Sequence, residues 1–276
     1  MNRLFILLFL SIVTFTYAQE KKVLYFSPLP TKSSSQVLKD FLPLVSYLEK
    51  KLHLKIEFKY EKNYKDILEG IKKGSIDLAY LGPLPYISLK KEYESVEPLI
   101  VFREKNKKHN YRCVLAKFKE DKFLKNEQIK VALTQPLSTC GYFMTSILLK
   151  RDFNIDLSKQ KYDYKMTHED ALLSVLKNES LIAGAKDSIA HKFESLGFEI
   201  IAKSQVLPGF TLVANSKTLS NELVHEIKGT ILSISKQEYS KWNAKGAYGF
   251  DEVTSNSYKN LSVDMNTIPK VGNLDE

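Results

Sequence analysis

The segment Ser138-Thr139-Cys140-Gly141-Tyr142 combines small and hydroxyl side chains at the start of a helical pattern. The apolar residues 129–133 before it predict a buried strand, and 142–152 carries apolar residues at helical spacing. A strand, a hydroxyl-rich turn and a helix direct free backbone N–H groups and the positive end of a helix dipole toward an anion. Because a Ser-Thr pair is also an ordinary helix cap, the turn predicts an anion site only in combination with other residues.

The N-terminal residues predict export. Arg3 precedes an almost unbroken apolar run over residues 4–15, and Thr16-Tyr17-Ala18 predicts a cleavage site before Gln19. The run is short for a transmembrane helix, and no later segment is apolar enough to span a bilayer. We therefore expect residues 1–18 to be a signal peptide, and the mature protein to be periplasmic without insertion into the membrane.

Charge and cysteine content exclude several classes of protein. The 41 basic residues exceed the 32 acidic ones, which gives a formal net charge of +9. The lysines are spread along the chain, and export argues against a nucleic-acid partner, so the surplus indicates a solvated surface with a bias toward anionic ligands. Cys113 and Cys140 are the two cysteines, and without a Cys-x-x-Cys or His-rich pattern we expect neither a metal nor a cofactor.

Short apolar strands alternate with amphipathic helices, which predicts an α/β protein with mainly parallel sheets flanked by helices. The predicted strands are 23–26, 54–60, 76–81, 99–103, 111–116, 130–134, 161–166, 181–185 and 199–202, with one more from Phe210. The predicted helices are 36–51, 64–73, one from Pro83, 141–152, 168–177, 187–196, 220–236 and 238–245.

The alternation occurs in two halves. A polar stretch at 104–110 separates them, and a second crossing is predicted near 203–209. We expect lobe 1 to consist of 19–108 and 206–276, and lobe 2 of 109–205. A small ligand is expected in the cleft between the lobes.

Five motifs follow one another in an informative order. They are Asn63-Tyr64, Ile76-Asp-Leu-Ala-Tyr-Leu-Gly-Pro-Leu-Pro-Tyr86, Ser138-Thr139-Cys140-Gly141-Tyr142, Thr167-His168-Glu169 and Leu207-Pro208-Gly209. Together they resemble the phosphate/phosphite/phosphonate-type periplasmic substrate-binding proteins of ABC transporters, over nearly the whole mature chain. The resemblance implies a monomeric, hinged two-lobe protein of the type II periplasmic binding fold. It also implies that the protein is not an enzyme, and that it captures a small tetrahedral oxyanion and delivers it to an ABC permease.

The resemblance also implies which residues hold the oxyanion. They are Tyr64, Tyr111, Ser138, Thr139, Cys140 and His168. Further candidates for the cleft are Gly82, Cys113, Asp187 and Phe210. Many neutral donors in front of a helix N-terminus suit an anion with several oxygens. Outside the family context, the tyrosines would be assigned to packing, Asp187 to a helix cap and Gly82 to a turn.

Two departures from the family bear on the ligand. Cys140 replaces the third hydroxyl of a Ser-Thr-Ser turn and is a weaker donor. Family members that bind aminoalkyl phosphonates place acidic residues opposite the ligand amine, where this chain has Ile189 and Phe210. We therefore expect phosphate, phosphite or a small alkylphosphonate, and not a ligand that carries an amine.

The two cysteines leave alternatives open. They are consistent with a disulfide, with two small buried residues, or with soft ligands for a thiophilic solute. The third possibility suits a sensory binding protein for arsenite or a related oxyanion that works with a membrane histidine kinase. A thiol enzyme that uses Cys140 and His168 is disfavoured, because no third residue is available to orient the histidine.

Overall fold

The structure is a computed structural model that describes residues 23–122 and 128–261. The predicted signal peptide and the cleavage site before Gln19 lie outside the described residues. Within the described part of the chain, none of the helices combines the length and the apolar character needed to cross a membrane.

The elements alternate along the chain much as the sequence predicts. The strands of the described residues are β1 (Val23–Pro28), β2 (Lys55–Phe58), β3 (Leu78–Leu81), β4 (Val96–Phe102), β5 (Asn110–Tyr111), β6 (Cys113–Phe118), β7 (Lys130–Leu133), β8 (Lys161–Tyr164), β9 (Ile182–Lys186), β10 (Phe198–Lys203), β11 (Leu207–Pro208), β12 (Thr211–Asn215) and β13 (Phe250–Glu252). The α-helices are α1 (Ser34–Leu52), α2 (Tyr64–Lys72), α3 (Pro83–Glu92), α4 (Thr145–Phe153), α5 (His168–Leu176), α6 (Asp187–Ala190), α7 (Asn221–Leu232) and α8 (Lys236–Tyr239). A π-helical segment, Thr139–Met144, leads into α4, and 3₁₀ turns cover Leu157–Lys159, His191–Leu196 and Ser255–Tyr258.

The strands form two main sheets, one in each lobe. The sheet of the first lobe has the order β2-β1-β3-β12-β4-β13, and that of the second lobe has the order β8-β7-β9-β6-β10. A two-stranded ribbon of β5 and β11 joins the two crossing segments. The fold is thus the two-lobe α/β arrangement predicted from the sequence. The residue boundaries predicted for the lobes stay a prediction.

Both sheets are mixed, whereas the sequence predicted mainly parallel ones. β1 pairs in parallel with β2 and β3, and β7 does so with β8 and β9. β12 is antiparallel to β3 and β4, and β6 is antiparallel to β9 and β10. The reason is the direction in which the chain enters each lobe. β3 and β9 run toward the cleft, while β12 and β6 start at the cleft after a crossing and run away from it.

Apolar residues at helical spacing attach the helices to the sheets. In α1, the buried face holds Val37, Phe41, Leu44, Val45 and Leu48. The Phe41 ring packs edge-on against Phe26 of β1 and Tyr80 of β3, with ring centroids 5.2 and 4.9 Å apart. This packing fixes Tyr80 near the end of β3, which faces the other lobe.

Two predicted helices differ from the structure, and one observed strand was not predicted. The helix predicted at 187–196 is α6 followed by a 3₁₀ turn, which ends at Gly197 with φ of 92°. The helix predicted at 238–245 is instead α8, a single turn. β13 was not predicted, because its three residues are too few to show an alternating pattern.

Candidate functional site

Four helical segments begin at the cleft between the lobes. α2 starts at Tyr64, α3 has Gly82 as its N-cap, the π-helical segment starts at Thr139, and α5 starts at His168. All four residues line one cavity. Since the first turn of a helix has unpaired N–H groups and a positive partial charge, the four helices together favour an anion there.

The cavity has a volume of ≈ 130 Å³, well below the roughly 300–1,000 Å³ of drug-sized pockets. Its walls consist of residues from both lobes: Leu29, Thr31, Lys32, Tyr64, Tyr80, Gly82, Pro85, Tyr111, Ser138, Thr139, Cys140, His168, Glu169, Lys186, Ile189, Phe210 and Lys245. A larger groove of ≈ 700 Å³ lies beside it along α2 and α3. We consider the smaller cavity the candidate site, because two buried polar atoms without partners among the described residues, His168 Nδ1 and the Tyr111 hydroxyl, border it, against one, Thr134 Oγ1, at the larger groove.

Most of the residues predicted to bind the ligand come together in this cavity. Those that line it are Tyr64, Gly82, Tyr111, Ser138, Thr139, Cys140, His168 and Phe210. Cys113 and Asp187 do not. Cys113 is fully buried, and the Asp187 carboxylate accepts a hydrogen bond from the Ser188 backbone N–H at 2.7 Å. Asp187 is the first residue of α6 and not its N-cap, which is Lys186, and α6 has no side-chain cap hydrogen bond, so the helix-cap interpretation of Asp187 is wrong.

The segment Ser138–Tyr142, called the hydroxyl turn below, is held in place by local contacts. The Ser138 hydroxyl accepts a hydrogen bond of 3.0 Å from the Gly141 N–H, so this residue does cap the helix. The hydroxyl hydrogen of Ser138 is left over for an acceptor. A side chain at Gly141 would overlap Thr134, so glycine is needed for the turn to pack against the end of β7.

His168 presents a neutral ring to the cavity. Its Nδ1 atom is buried and has no hydrogen-bond partner among the described residues. Burial lowers the pKa of His168 to about 4, and the positive charge of Lys186 acts in the same direction, while a backbone hydrogen bond with Gly184 opposes it. The ring is therefore uncharged near neutral pH, and it can donate to an anion from Nδ1 in the tautomer that carries its single proton on that nitrogen.

Tyr111 is the other residue of the cavity wall that has a buried polar atom without a partner among the described residues. Its hydroxyl makes no hydrogen bond of regular geometry within the described part of the chain. Burial raises the pKa of Tyr111 well above its usual value, and the nearby Thr139 hydroxyl offsets part of that rise. Burial also raises the pKa of Tyr64. Both phenols are thus protonated at neutral pH and are possible donors.

Cys113 and Cys140 form a disulfide, with Cα atoms 5.0 Å apart. The bond ties the start of β6 to the hydroxyl turn. Of the three interpretations that the sequence left open, the disulfide is the observed one, and the interpretation as soft thiolate ligands is wrong because both sulfurs are bonded. Cys140 lines the cavity without a thiol to donate. A thiol nucleophile at Cys140 is excluded for the same reason.

Sequence reasoning missed several residues that line the cavity. The most notable are Lys186 and Lys245. Glu104 does not line the cavity but forms an ion pair with Lys186. Lys186 Nζ lies 2.6 Å from a carboxylate oxygen of Glu104, and Lys245 Nζ donates to the Tyr80 hydroxyl at 3.2 Å. Lysines are so frequent in this chain that only the position of Lys186, at the end of a buried strand, would have drawn attention to it.

Comparisons with known proteins identify the family of this chain. The profile of a family described as "ABC transporter, phosphonate, periplasmic substrate-binding protein" matches residues 26–258. The chain is 24% identical over 219 residues to the phosphate-import protein PhnD of Mycolicibacterium smegmatis, covering 72% of this chain and 68% of the relative. It is 23% identical over 239 residues to the phosphonates-binding periplasmic protein of Escherichia coli, covering 81% and 69%.

Solved structures share the fold. PhnD1 of Prochlorococcus marinus, solved in complex with methylphosphonate, superposes with a TM-score of 0.74 at 16% identity. The match covers 89% of this chain and 98% of that one. These relatives are substrate-binding components of transport systems and not enzymes.

Proposed function

The chain belongs to the family of periplasmic substrate-binding proteins of ABC phosphonate transporters, and from that premise we propose that its cleft captures a small tetrahedral phosphorus oxyanion for an ABC permease. The proposed ligands are phosphate, phosphite and small alkylphosphonates such as methylphosphonate. The observation that carries the proposal is the meeting of four helix N-termini around a small cavity, where the buried His168 Nδ1 and Tyr111 hydroxyl have no partner in the part of the chain that the structure describes. A buried polar atom without a partner is costly. An anion with several oxygens would accept from the Tyr111 hydroxyl, and from His168 in the tautomer that carries its proton on Nδ1.

The neutral donors divide between the lobes. On the second lobe, the hydroxyls of Ser138 and Thr139, the Cys140 backbone N–H and the His168 ring would contact the oxyanion. Tyr64 would contact it from the first lobe, and Tyr111 from the segment that joins the lobes. Hydrogen bonds to a charged acceptor are stronger than neutral ones, so each donor would add to affinity.

A sensory role with a histidine kinase stays a prediction, as does the monomeric state. The disulfide removes the thiolate argument for arsenite. Members of the family are periplasmic, in line with the export predicted from residues 1–18, while the signal peptide itself stays a prediction.

Calorimetric titration of the mature protein tests the proposal. We expect saturable binding of methylphosphonate, phosphite or phosphate with one site per chain. Chloride and acetate at the same ionic strength are the controls, since neither is a tetrahedral oxyanion. If none of the three phosphorus anions binds more tightly than acetate, the proposed function is wrong.

A further inference from the structure

Three aromatic rings, Tyr80, Phe210 and Tyr111, form one side of the cavity and are called the aromatic wall below. Phe210 stacks on Tyr80 with ring centroids 5.2 Å apart, and it lies 5.7 Å from Tyr111. A Cβ atom at Gly82 would come within 3.1 Å of Phe210 and 3.5 Å of the Thr139 hydroxyl. The wall and the hydroxyl turn are therefore close together, and a substituent on an anion held at the turn would lie along the wall.

Two lysines lie over this wall. Lys186 Nζ is 5.0 Å from the Tyr111 ring centroid and 5.6 Å from that of Phe210, and Lys245 Nζ is 5.3 Å from that of Tyr80. Lys186 extends from the end of β9 in the second lobe, and Lys245 from the segment after α8 in the first. An ammonium group has three donor hydrogens. Lys186 uses one on Glu104 and Lys245 one on Tyr80, so both retain donors.

The charges near the wall favour a negative substituent. Among the residues that the structure describes, three lysines but a single carboxylate, Glu169, line the cavity. Lys32 pairs with Asp40 at 2.8 Å and Lys186 with Glu104. Lys245 lies within ion-pairing distance of no carboxylate in the described part of the chain. Burial by itself raises the pKa of Glu104, but the charges of Lys186 and Lys245 outweigh it, so that this pKa lies below its usual value.

Glu169 is separate from this arrangement. It is the second residue of α5, where a carboxylate is stabilised by the helix N-terminus, and it belongs to the second lobe beside His168. If a ligand amine were bound, Glu169 would be its natural partner. Tight binding of a phosphonate that carries an amine would therefore indicate Glu169, and not the two lysines, as the partner of the substituent.

We propose that Lys186 and Lys245 make the pocket selective for phosphonates that carry a second anionic group, with phosphonocarboxylates as the ligand class. The inference rests on the proposed function, since the phosphonate group must first be held at the hydroxyl turn. The carboxylate then lies against the aromatic wall and accepts hydrogen bonds from the two ammonium groups. The small cavity, ≈ 130 Å³ in volume, favours a short spacer between the two acids.

The selectivity follows from electrostatics in a partly desolvated site. Opposite charges a few ångströms apart attract far more strongly there than in bulk water, and like charges repel. A neutral alkyl substituent gains only contact with the aromatic wall. An ammonium substituent would lie beside two lysines. We therefore expect affinity to fall in the order carboxylate, alkyl, ammonium.

A panel of matched ligands measures this order. Phosphonoacetate, ethylphosphonate and 2-aminoethylphosphonate have nearly the same length and differ in the charge of the substituent. Titration calorimetry at pH 7.5 and constant ionic strength should give at least tenfold tighter binding of phosphonoacetate than of ethylphosphonate. The quantity compared is the affinity ratio of these two ligands.

Variants test whether the two lysines cause the affinity ratio between phosphonoacetate and ethylphosphonate. Lys245→Met should bring the ratio close to one, and Lys186→Met combined with Glu104→Gln should do the same without leaving a buried charge unpaired. Lys228→Met is the matched control, because Lys228 pairs with Glu252 outside the cavity. It should retain the wild-type ratio.

Three results would overturn the inference. Equal affinity for phosphonoacetate and ethylphosphonate excludes a cationic selectivity site. Tighter binding of 2-aminoethylphosphonate assigns the substituent to Glu169 instead. A preference for phosphonoacetate that survives in both lysine variants removes these residues from the explanation. In each of these cases ethylphosphonate still binds and the proposed function stands, whereas failure of every phosphonate to bind overturns both.

Discussion

The Thr139 hydroxyl in the second lobe accepts a hydrogen bond of 3.0 Å from the backbone N–H of Leu84 in the first lobe. Beside it, the Tyr64 N–H donates to the Gln135 side chain at 3.3 Å, and the Gln135 amide donates to the Pro30 carbonyl at 3.4 Å. Thr139 and Tyr64 thus hold the lobes together and also line the candidate site. Closure of the lobes and capture of the ligand depend on the same residues, which couples the two equilibria.

Thr139→Val should therefore open the unliganded protein. The change removes one interlobe acceptor, and a typical hydrogen bond contributes about 1 kcal/mol, which corresponds to roughly a fivefold shift of the closure equilibrium. Small-angle X-ray scattering should show a larger radius of gyration. Thr145→Val is the control, since the Thr145 hydroxyl donates to the Cys140 carbonyl within one lobe. Identical radii for the two variants would remove Thr139 from the closure mechanism.

Ser138→Ala should weaken ligand binding much more than it weakens folding. Loss of the helix cap costs about 1 kcal/mol of unfolding free energy, and loss of a donor to a charged ligand costs about 1.5–3 kcal/mol, or roughly ten- to a hundredfold in affinity. Ser220→Ala is the matched control, because Ser220 caps α7 through the Leu223 N–H and does not line the cavity. Calorimetry in which both variants bind methylphosphonate like wild type would contradict the assignment of Ser138.

The sequence predicts the elements that position the site because their patterns are local. The helix beginning at Tyr64 is preceded by Asn63, whose side chain accepts the Asp66 N–H at 2.9 Å. Such caps and apolar spacings can be recognised within a short stretch of sequence. The direction of β12 is different, since it depends on a segment that returns from the other lobe. No short window of sequence contains that information, and the prediction of mainly parallel sheets was wrong there.

The lysines of the cleft illustrate a second limit of prediction from the sequence. Lys245 lies more than fifty residues from Lys186 in the sequence, and the two meet at the aromatic wall only after both lobes have formed. Phe210 was a candidate because of the resemblance to a family, yet its stacking on Tyr80 was not predictable. Charged residues are usually solvated, so composition alone assigns these lysines to the surface.

Removal of the disulfide should destabilise the protein and loosen the hydroxyl turn. Cys113 and Cys140 are 27 residues apart, and closing a loop of this size contributes roughly 3–4 kcal/mol in the chain-entropy account. Chemical denaturation of Cys113→Ser/Cys140→Ser should show a lower unfolding free energy by a sizeable part of that amount. Affinity for methylphosphonate should fall as well, because the turn loses its link to β6.

Alkylation provides the direct check on the disulfide. Wild-type protein that has not been reduced should incorporate no alkylating reagent under denaturing conditions, and should incorporate two equivalents after reduction. Mass spectrometry distinguishes these states. Rapid labelling of native, unreduced protein would show that the two thiols are free and would reopen the interpretation as soft ligands.

His168 should make the unliganded protein less stable in mild acid. Its pKa is about 4 in the folded protein and about 6.5 in an unfolded chain. The unfolded state therefore binds more protons than the folded state between these pH values. By linkage, this contribution to stability is fully present above about pH 6.5 and is lost as the pH falls toward 4. Between pH 7.5 and 5 the loss attributable to His168 amounts to about 2 kcal/mol.

His168→Gln isolates this contribution, because glutamine fills similar space and does not titrate. Urea unfolding at pH 7.5, 6 and 5 gives the free energy of unfolding of each protein, and the slope against pH is compared. We expect a shallower slope for His168→Gln, since the proton uptake of the unfolded histidine no longer favours unfolding. The exposed His225, on α7, supplies the control His225→Gln, which should keep the wild-type slope. Equal slopes for all three proteins would mean that His168 is not buried in its neutral form, and its proposed role as a neutral donor to the oxyanion would be lost with it.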